Sequence, residues 1–260
     1  MVKNEDDIIA ETLNSRIEYF DHIIIVDSST DKTPDICKYY AELYPTKIIY
    51  RYDDHPLENM YFRNLLLELS REVAEDGDWI WQLDADHFLL DNHKYNGDIH
   101  KLVASAESEK ANLIVGEVCQ FYITEEDLKA QNSWKGLMHY AVNWRLPIAY
   151  KLQSELKMHG KNGETPTVPD KKQASIRPIV LHYQYRSIAQ IKKRLEHAYK
   201  KGGYGHIYSN DWVDYIINKE LLNKVVVWHE IKGGGYNWKT LYLKSQETRN
   251  NEEIRRLYGS

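Results

Sequence analysis

Cysteine is scarce in this chain of 260 residues, which carries only Cys37 and Cys119. Two thiols exclude a disulfide framework and a four-cysteine zinc site. No apolar run approaches the roughly 18 residues that a membrane-spanning helix needs. The opening Met1-Val-Lys-Asn-Glu-Asp-Asp7 does not read as a signal peptide. Excess positive charge is missing as well: 34 Lys and Arg stand against 39 Asp and Glu, a formal net charge of −5. A global basic footprint is therefore absent, which disfavours nucleic acid as a partner. Residues 1–35 contain no glycine, which argues against a Gly-rich phosphate loop near the start. Phenylalanine is rare, with 4 against 20 Tyr and 7 Trp. Such amphipathic rings suit wet clefts and sugar faces, and ordinary cores use Tyr too. What remains is a chain with 42% hydrophobic and 28% charged residues. That balance can bury a core and excludes global disorder. The expected setting is soluble, reduced and cytoplasmic, with a peripheral membrane role left open.

The first ninety residues alternate between two periods. Asp6 to Phe20 places Ile8, Ile9, Leu13, Ile17 and Phe20 at helical spacing. His22 to Val26 is a short apolar run, the pattern of a strand buried on both faces. A helix over 32–44 has Pro34 near its start. A strand over 47–52, a helix over 58–74 and a strand over 79–83 follow. This alternation predicts an α/β fold with a mostly parallel sheet covered on both sides. A helix over 97–110 and a strand over 112–121 continue it. Residues 123–170 are rich in Trp, Pro, Gly and charge and read as a loop-rich surface layer. A strand around 179–181 and a basic helix over 187–200 come next. Gly202-Gly-Tyr-Gly205 then breaks the pattern, and helices over 210–224 and 239–257 close the chain. The expected division is a catalytic domain over 1–205, split into halves at 1–110 and 111–205, and a helical extension over 206–260.

The third buried strand runs out into Asp84-Ala-Asp86. In open parallel sheets, ligands bind beyond the carboxyl ends of strands. Two oxygen donors there can hold a hard divalent cation, which in turn holds a diphosphate. The alternative is that both acids simply cap the next turn. The first strand also ends in an acid, within Asp27-Ser-Ser-Thr-Asp31-Lys-Thr33. Asp27 can accept the imino proton of a uracil ring or a ribose hydroxyl. The alternative for this turn is capping of the next helix by Ser29, Thr30 or Asp31.

These segments resemble family-two glycosyltransferases. The resemblance rests on Lys3-Asn-Glu-Asp-Asp-Ile8, on Asp27-Ser-Ser-Thr-Asp31-Lys-Thr33, on Phe62-Arg63-Asn64 and on Leu83-Asp84-Ala-Asp86, in the family's order. It implies the glycosyltransferase-A fold, a nucleotide-binding half followed by a variable acceptor-binding half. It implies metal-dependent, inverting transfer from a nucleotide-diphosphate sugar, with UDP as the expected nucleotide, to a glycan or other hydroxyl acceptor. Mn2+ or Mg2+ is the expected cofactor. On this resemblance Asp86 is the direct metal ligand, and Asp84 meets the ribose or a metal-bound water. Arg63 either approaches the diphosphate or braces the sheet. A later His-Tyr segment makes His182 the candidate late ligand, with Arg186 adding charge near the phosphates. A fainter likeness around Met158-His159 and Gly163-Glu164 makes Glu164 the expected base and His159 the second candidate. Gly163 stands where the family usually has His. In that family a buried strand of several residues precedes Lys-Asn-Glu, whereas here only Met1 and Val2 do.

Two rival readings stay open. A decayed, non-catalytic nucleotide-sugar-binding protein on the same scaffold agrees with Gly163 and the short opening, and the Asp84/Asp86 pair opposes it. A nucleotidyltransferase is disfavoured by the glycine-free start.

Overall fold

The computed structural model describes residues 1–55, 59–89, 98–123, 127, 131, 133–137, 139–159, 165–187 and 189–191. The expected helices over 210–224 and 239–257, the expected extension over 206–260 and Glu164 lie outside the described residues. The elements run α1 (Ile9–Asn14), β1 (Ile23–Asp27), α2 (Thr33–Leu43), β2 (Ile48–Tyr52), α3 (Asn59–Arg71), β3 (Trp79–Trp81), β4 (His87–Leu89) and α4 (Ile99–Ser108). They continue with β5 (Leu113–Tyr122), a 3-10 turn at Trp134–Gly136, β6 (His139–Lys151), β7 (Lys157–His159), β8 (Thr165–Thr167) and β9 (Ile179–Tyr185). This is the mixed α/β fold that the alternating periods predict. The chain divides into two compact units, one of Met1–Gly116 with Arg145–Pro178 and one of Glu117–Trp144 with Ile179–Ser260. Among the described residues, no helix is long and apolar enough to cross a membrane.

In the first unit, β1 and β2 pair in parallel from Ile23↔Ile48 to Asp27↔Tyr52. Val2 adds a parallel bridge to Asp27, with Val2 N–H donating to the Val26 carbonyl at 2.9 Å. The place of the expected opening strand is thus taken by a single bridging residue. Val2, Ile9, Leu13, Ile25, Cys37 and Ile48 form one apolar cluster, so α1, α2 and the β1–β2 pair share a core. On α3, Phe62, Leu65 and Leu69 pack with Val26 in another cluster. Leu67, on a different side of α3, packs with Leu113, Tyr150, Leu152 and Met158. Two apolar sides let α3 link clusters that one amphipathic stripe would not reach. β3 pairs with β6 from Trp79↔Lys151 to Trp81↔Ala149, and the pairing is antiparallel. The parallel expectation therefore holds for β1–β2 and not for β3. Gly77, at a φ of 102°, makes the turn into β3, a conformation that a side chain would strain.

The stretch 123–170, expected to be loop-rich, instead contains the 13-residue β6 and the β7–β8 hairpin, paired from Lys157↔Thr167 to His159↔Thr165. Pro147 lies inside β6. It falls outside the register with β3, so its missing N–H costs that pairing nothing.

In the second unit, β5 and β9 pair in parallel from Glu117↔Ile179 to Gln120↔His182, and the register shifts between Gln120 and Tyr122. A shifted ladder leaves backbone groups to be satisfied by side chains. Gln120 does this here, its Nε2 donating to the carbonyls of Phe121 at 3.0 Å and His182 at 3.2 Å. Phe121 stacks on Tyr183 with ring centroids 4.7 Å apart, and Trp134 meets Tyr183 edge-on at 4.9 Å.

Candidate active site

In the first unit, the opening loop is laced to the turn after β1. Asn4 N–H donates to Ser29 Oγ at 2.7 Å, Thr30 N–H donates to Asn4 Oδ1 at 2.8 Å, and Glu5 N–H donates to Thr33 Oγ1 at 2.9 Å. Asn4 takes a φ of 56°, a left-handed conformation that its short polar side chain tolerates. The two segments that first carried the resemblance thus form one structure. Asp27 is fully buried at its centre. Its Oδ1 accepts from Ser29 N–H at 2.8 Å and its Oδ2 from the Tyr50 hydroxyl at 3.0 Å. Burial and then Asp27 push the Tyr50 hydroxyl far up, so it stays protonated and a donor. Asp31 Oδ1 accepts from Thr33 N–H at 2.9 Å and Thr33 Oγ1 at 2.6 Å. Asp31 therefore closes a local turn just before α2, whose N-cap residue, Lys32, makes no side-chain capping bond.

The turn after β3 carries the two acids. Ala85 is buried among Ile9, Leu13, Ile25 and Cys37, and this methyl anchors the middle of Asp84-Ala-Asp86 in the core. Asp86 and His87 are both buried, each 2% exposed, and ligand atoms of the two lie within 4.8 Å of each other. Asp84 is half-buried, and its Oδ1 accepts from Arg63 Nη2 at 2.7 Å. Burial acts to raise the Asp84 carboxyl, but the Arg63 guanidinium and His87 outweigh it and hold the group well below the usual carboxylate range. Asp84 is therefore an anion at every pH at which the chain would work. Arg63 comes from α3 and is 8% exposed. Its bond to Asp84 ties that helix to the acid turn. Asp84 N–H donates to His87 Nδ1 at 3.2 Å, and His87 N–H donates to the Asp84 carbonyl at 3.2 Å, closing the turn.

In this turn Asp86 and His87 could each offer one ligand atom to a cation, a carboxylate oxygen and an imidazole nitrogen, and Asp84 is a second carboxylate close by in sequence.

Sequence reasoning missed Arg16 and Thr12, which reach this turn from α1 and the residues after it. Arg16 Nη2 donates to the carbonyls of Asp84 at 2.7 Å and His87 at 2.8 Å, and Nη1 to that of Leu83 at 3.4 Å. The Thr12 hydroxyl hydrogen-bonds the Ala85 carbonyl. Their i, i+4 spacing was the available signal, and nothing in the sequence named the carbonyls they meet.

The remaining candidates lie elsewhere. His159 is exposed at the end of β7, in the first unit. Tyr150 is 3% exposed within the α3 cluster and packs as core. In the second unit, His182 is buried on β9 and Arg186 follows that strand, 2% exposed, with Nη1 donating to the Tyr183 carbonyl at 3.2 Å.

An α/β enzyme with acidic turns at the ends of its strands is the class this architecture defines. The chain belongs to glycosyl transferase family 2, whose model matches residues 1–168, and it is a glycosyltransferase. No curated protein matches it. Among solved structures it is similar to the mannosyltransferase PcManGT from Pyrobaculum calidifontis, in complex with GDP-Man and Mn2+. The identity is 14%, over 99% of this chain and 81% of that one, with a TM-score of 0.38.

Proposed function

We propose that this glycosyltransferase moves a sugar from a nucleotide-diphosphate donor, with UDP as the nucleotide, to an acceptor hydroxyl, with inversion and with Mn2+ or Mg2+ as cofactor. The observation that supports this most is the Asp84-Ala-Asp86 turn, with Asp86 buried and Asp84 paired with Arg63 at 2.7 Å, in a chain of this family.

Asp86 holds the cation in this reading, and His182 keeps the role of late ligand that the resemblance gives it. The cation supplies Lewis-acid stabilisation of the charge that grows on the departing diphosphate. Asp27 takes a nucleotide N–H or O–H as a third hydrogen bond. An ionised carboxylate offers about four lone-pair sites, so the Ser29 and Tyr50 bonds leave capacity. Arg186 is assigned to phosphate charge and Asp31 to the turn beneath the nucleotide. The proton of the attacking hydroxyl goes to Glu164, with His159 as the other candidate base.

A panel of UDP- and GDP-sugars, incubated with the full chain with and without Mn2+, tests the reading through released nucleotide. Release from a UDP-sugar that Mn2+ stimulates is expected. Nucleotide binding that ignores the metal and leads to no release would instead establish a binding protein.

A further inference from the structure

Four carbonyls of the acid turn are held from one short segment. Thr12 and Arg16 stand four residues apart, and between them they take the carbonyls of Leu83, Asp84, Ala85 and His87. Both protons of Arg16 Nη2 are used, at 2.7 Å and 2.8 Å. Neither side chain contacts the carboxylates of Asp84 or Asp86 through a described hydrogen bond, so their action is on the backbone. Arg16 is half-buried. Burial lowers it to about 10, against the opposite pull of Asp84 and Asp86, and at neutral pH it stays charged. A planar, charged fork that reaches three carbonyls in fixed directions restrains a turn in a way that a point charge on a flexible stem does not.

We propose that Arg16, assisted by Thr12, is a positioning residue: it clamps the backbone of the Leu83–His87 turn and thereby sets the geometry with which Asp84 and Asp86 receive a divalent cation. The consequence for the cation rests on the transferase reading above, whereas the clamp itself does not. Partners that orient metal-binding carboxylates from behind typically change metal affinity by about 10- to 100-fold when removed.

The test uses the full chain with Arg16→Met, Arg16→Lys and, as a control, Arg71→Met. Arg71 makes the same kind of contact elsewhere, its Nη2 donating to the carbonyls of Ser154 at 3.3 Å and Leu156 at 2.8 Å. Three quantities are measured: the thermal midpoint, deuterium uptake at the amides of residues 84–88 without metal, and UDP affinity with Mn2+ present. Arg16→Met is expected to raise uptake at 84–88 and to weaken Mn2+-dependent UDP binding by about 10- to 100-fold. Arg16→Lys should recover part of both, and it carries the test if Arg16→Met does not fold. Arg71→Met should lower the midpoint and leave the other two readings at parental values.

Parental uptake and affinity in both Arg16 variants would overturn the clamp. So would an affinity loss in Arg71→Met equal to that in Arg16→Met at a similar midpoint, because that pattern reports general destabilisation. A parent that binds no UDP with Mn2+ refutes the transferase reading instead. The uptake at 84–88 then decides the clamp alone, upholding it if raised in Arg16→Met and overturning it if unchanged.

Discussion

Replacing Arg63 with Met removes the guanidinium from Asp84 while keeping most of the apolar stem that packs in α3. The two groups are 2.7 Å apart, with Arg63 8% exposed and Asp84 35% exposed. Exposed pairs contribute about 0–1 kcal/mol, and breaking a fully buried pair costs about 3–5 kcal/mol. One partner here is dry and the other is partly solvated, so a loss of about 1–3 kcal/mol is expected. The pH dependence has a definite sign. Asp84 in the folded chain titrates well below the ordinary carboxylate range, chiefly because Arg63 overcomes the effect of burial. An unfolded aspartate titrates near about 3.9. The contribution is therefore complete above about pH 4 and declines as pH falls towards the folded value, by at most about 1.4 kcal/mol per pH unit. Solvent around Asp84 reduces that slope. Urea unfolding of the parent and Arg63→Met at pH 7, 5 and 3 measures it. The gap between them should be equal at pH 7 and 5 and narrower at pH 3. Asp84→Asn in the same series supplies the coupling between the two positions. A gap below about 0.5 kcal/mol at pH 7, which is the range of an ordinary surface substitution, would refute the reasoning. A gap that is unchanged at pH 3 would refute it too.

Three further outcomes are expected. Asp86→Ala should abolish Mn2+-stimulated release of nucleotide from the donor, and unchanged release would remove Asp86 from the metal site. Glu164→Gln should lower transfer while UDP affinity stays parental; if it transfers at the parental rate and His159→Ala does not, the base is His159. Tyr50→Phe takes a hydroxyl from the buried Asp27 carboxylate. A hydrogen bond to a charged group contributes about 1.5–3 kcal/mol, so urea unfolding should show a loss of that order, and a neutral substitution would mean that Asp27 draws little from Tyr50.

The parts of this structure that were legible in the sequence are those whose burial is decided over a few residues. The apolar run at His22–Val26 became β1 at Ile23–Asp27, and the periodic stretch at 97–110 became α4 at Ile99–Ser108. The acids at strand ends were legible for the same reason, because Asp27 closes β1 and Asp84 follows β3 within a short distance. Other features depend on partners distant in sequence. β6 was missed because its pairing with β3 joins residues about 70 positions apart, which no local pattern shows. Asp6 to Phe20 read as one helix, yet α1 stops at Asn14 and the chain turns through hydrogen bonds to the Leu13 and Arg16 carbonyls. That early stop brings Arg16 off the helix and under the acid turn.

The grip of Arg16 on that turn illustrates a general limit. A motif such as Asp84-Ala-Asp86 is visible because its chemistry lies in side chains, which the sequence spells out. The contacts that hold the motif from behind are made to carbonyls, which every residue has, so the acceptor leaves no letter to find. Only the donors can be read, and a threonine and an arginine four residues apart have many ordinary uses. What singles out Thr12 and Arg16 is convergence: their acceptors are consecutive or nearly so, and they belong to the turn that carries both acids. Ala85 adds a constraint of the same kind, because its methyl faces the apolar cluster that includes Ile9 and Leu13 of the same helix. The acid turn is thus fixed twice to α1 and the residues just after it, by its carbonyls and by the side chain of Ala85. Its geometry is set by a segment nearly seventy residues earlier as much as by the strand that leads into it.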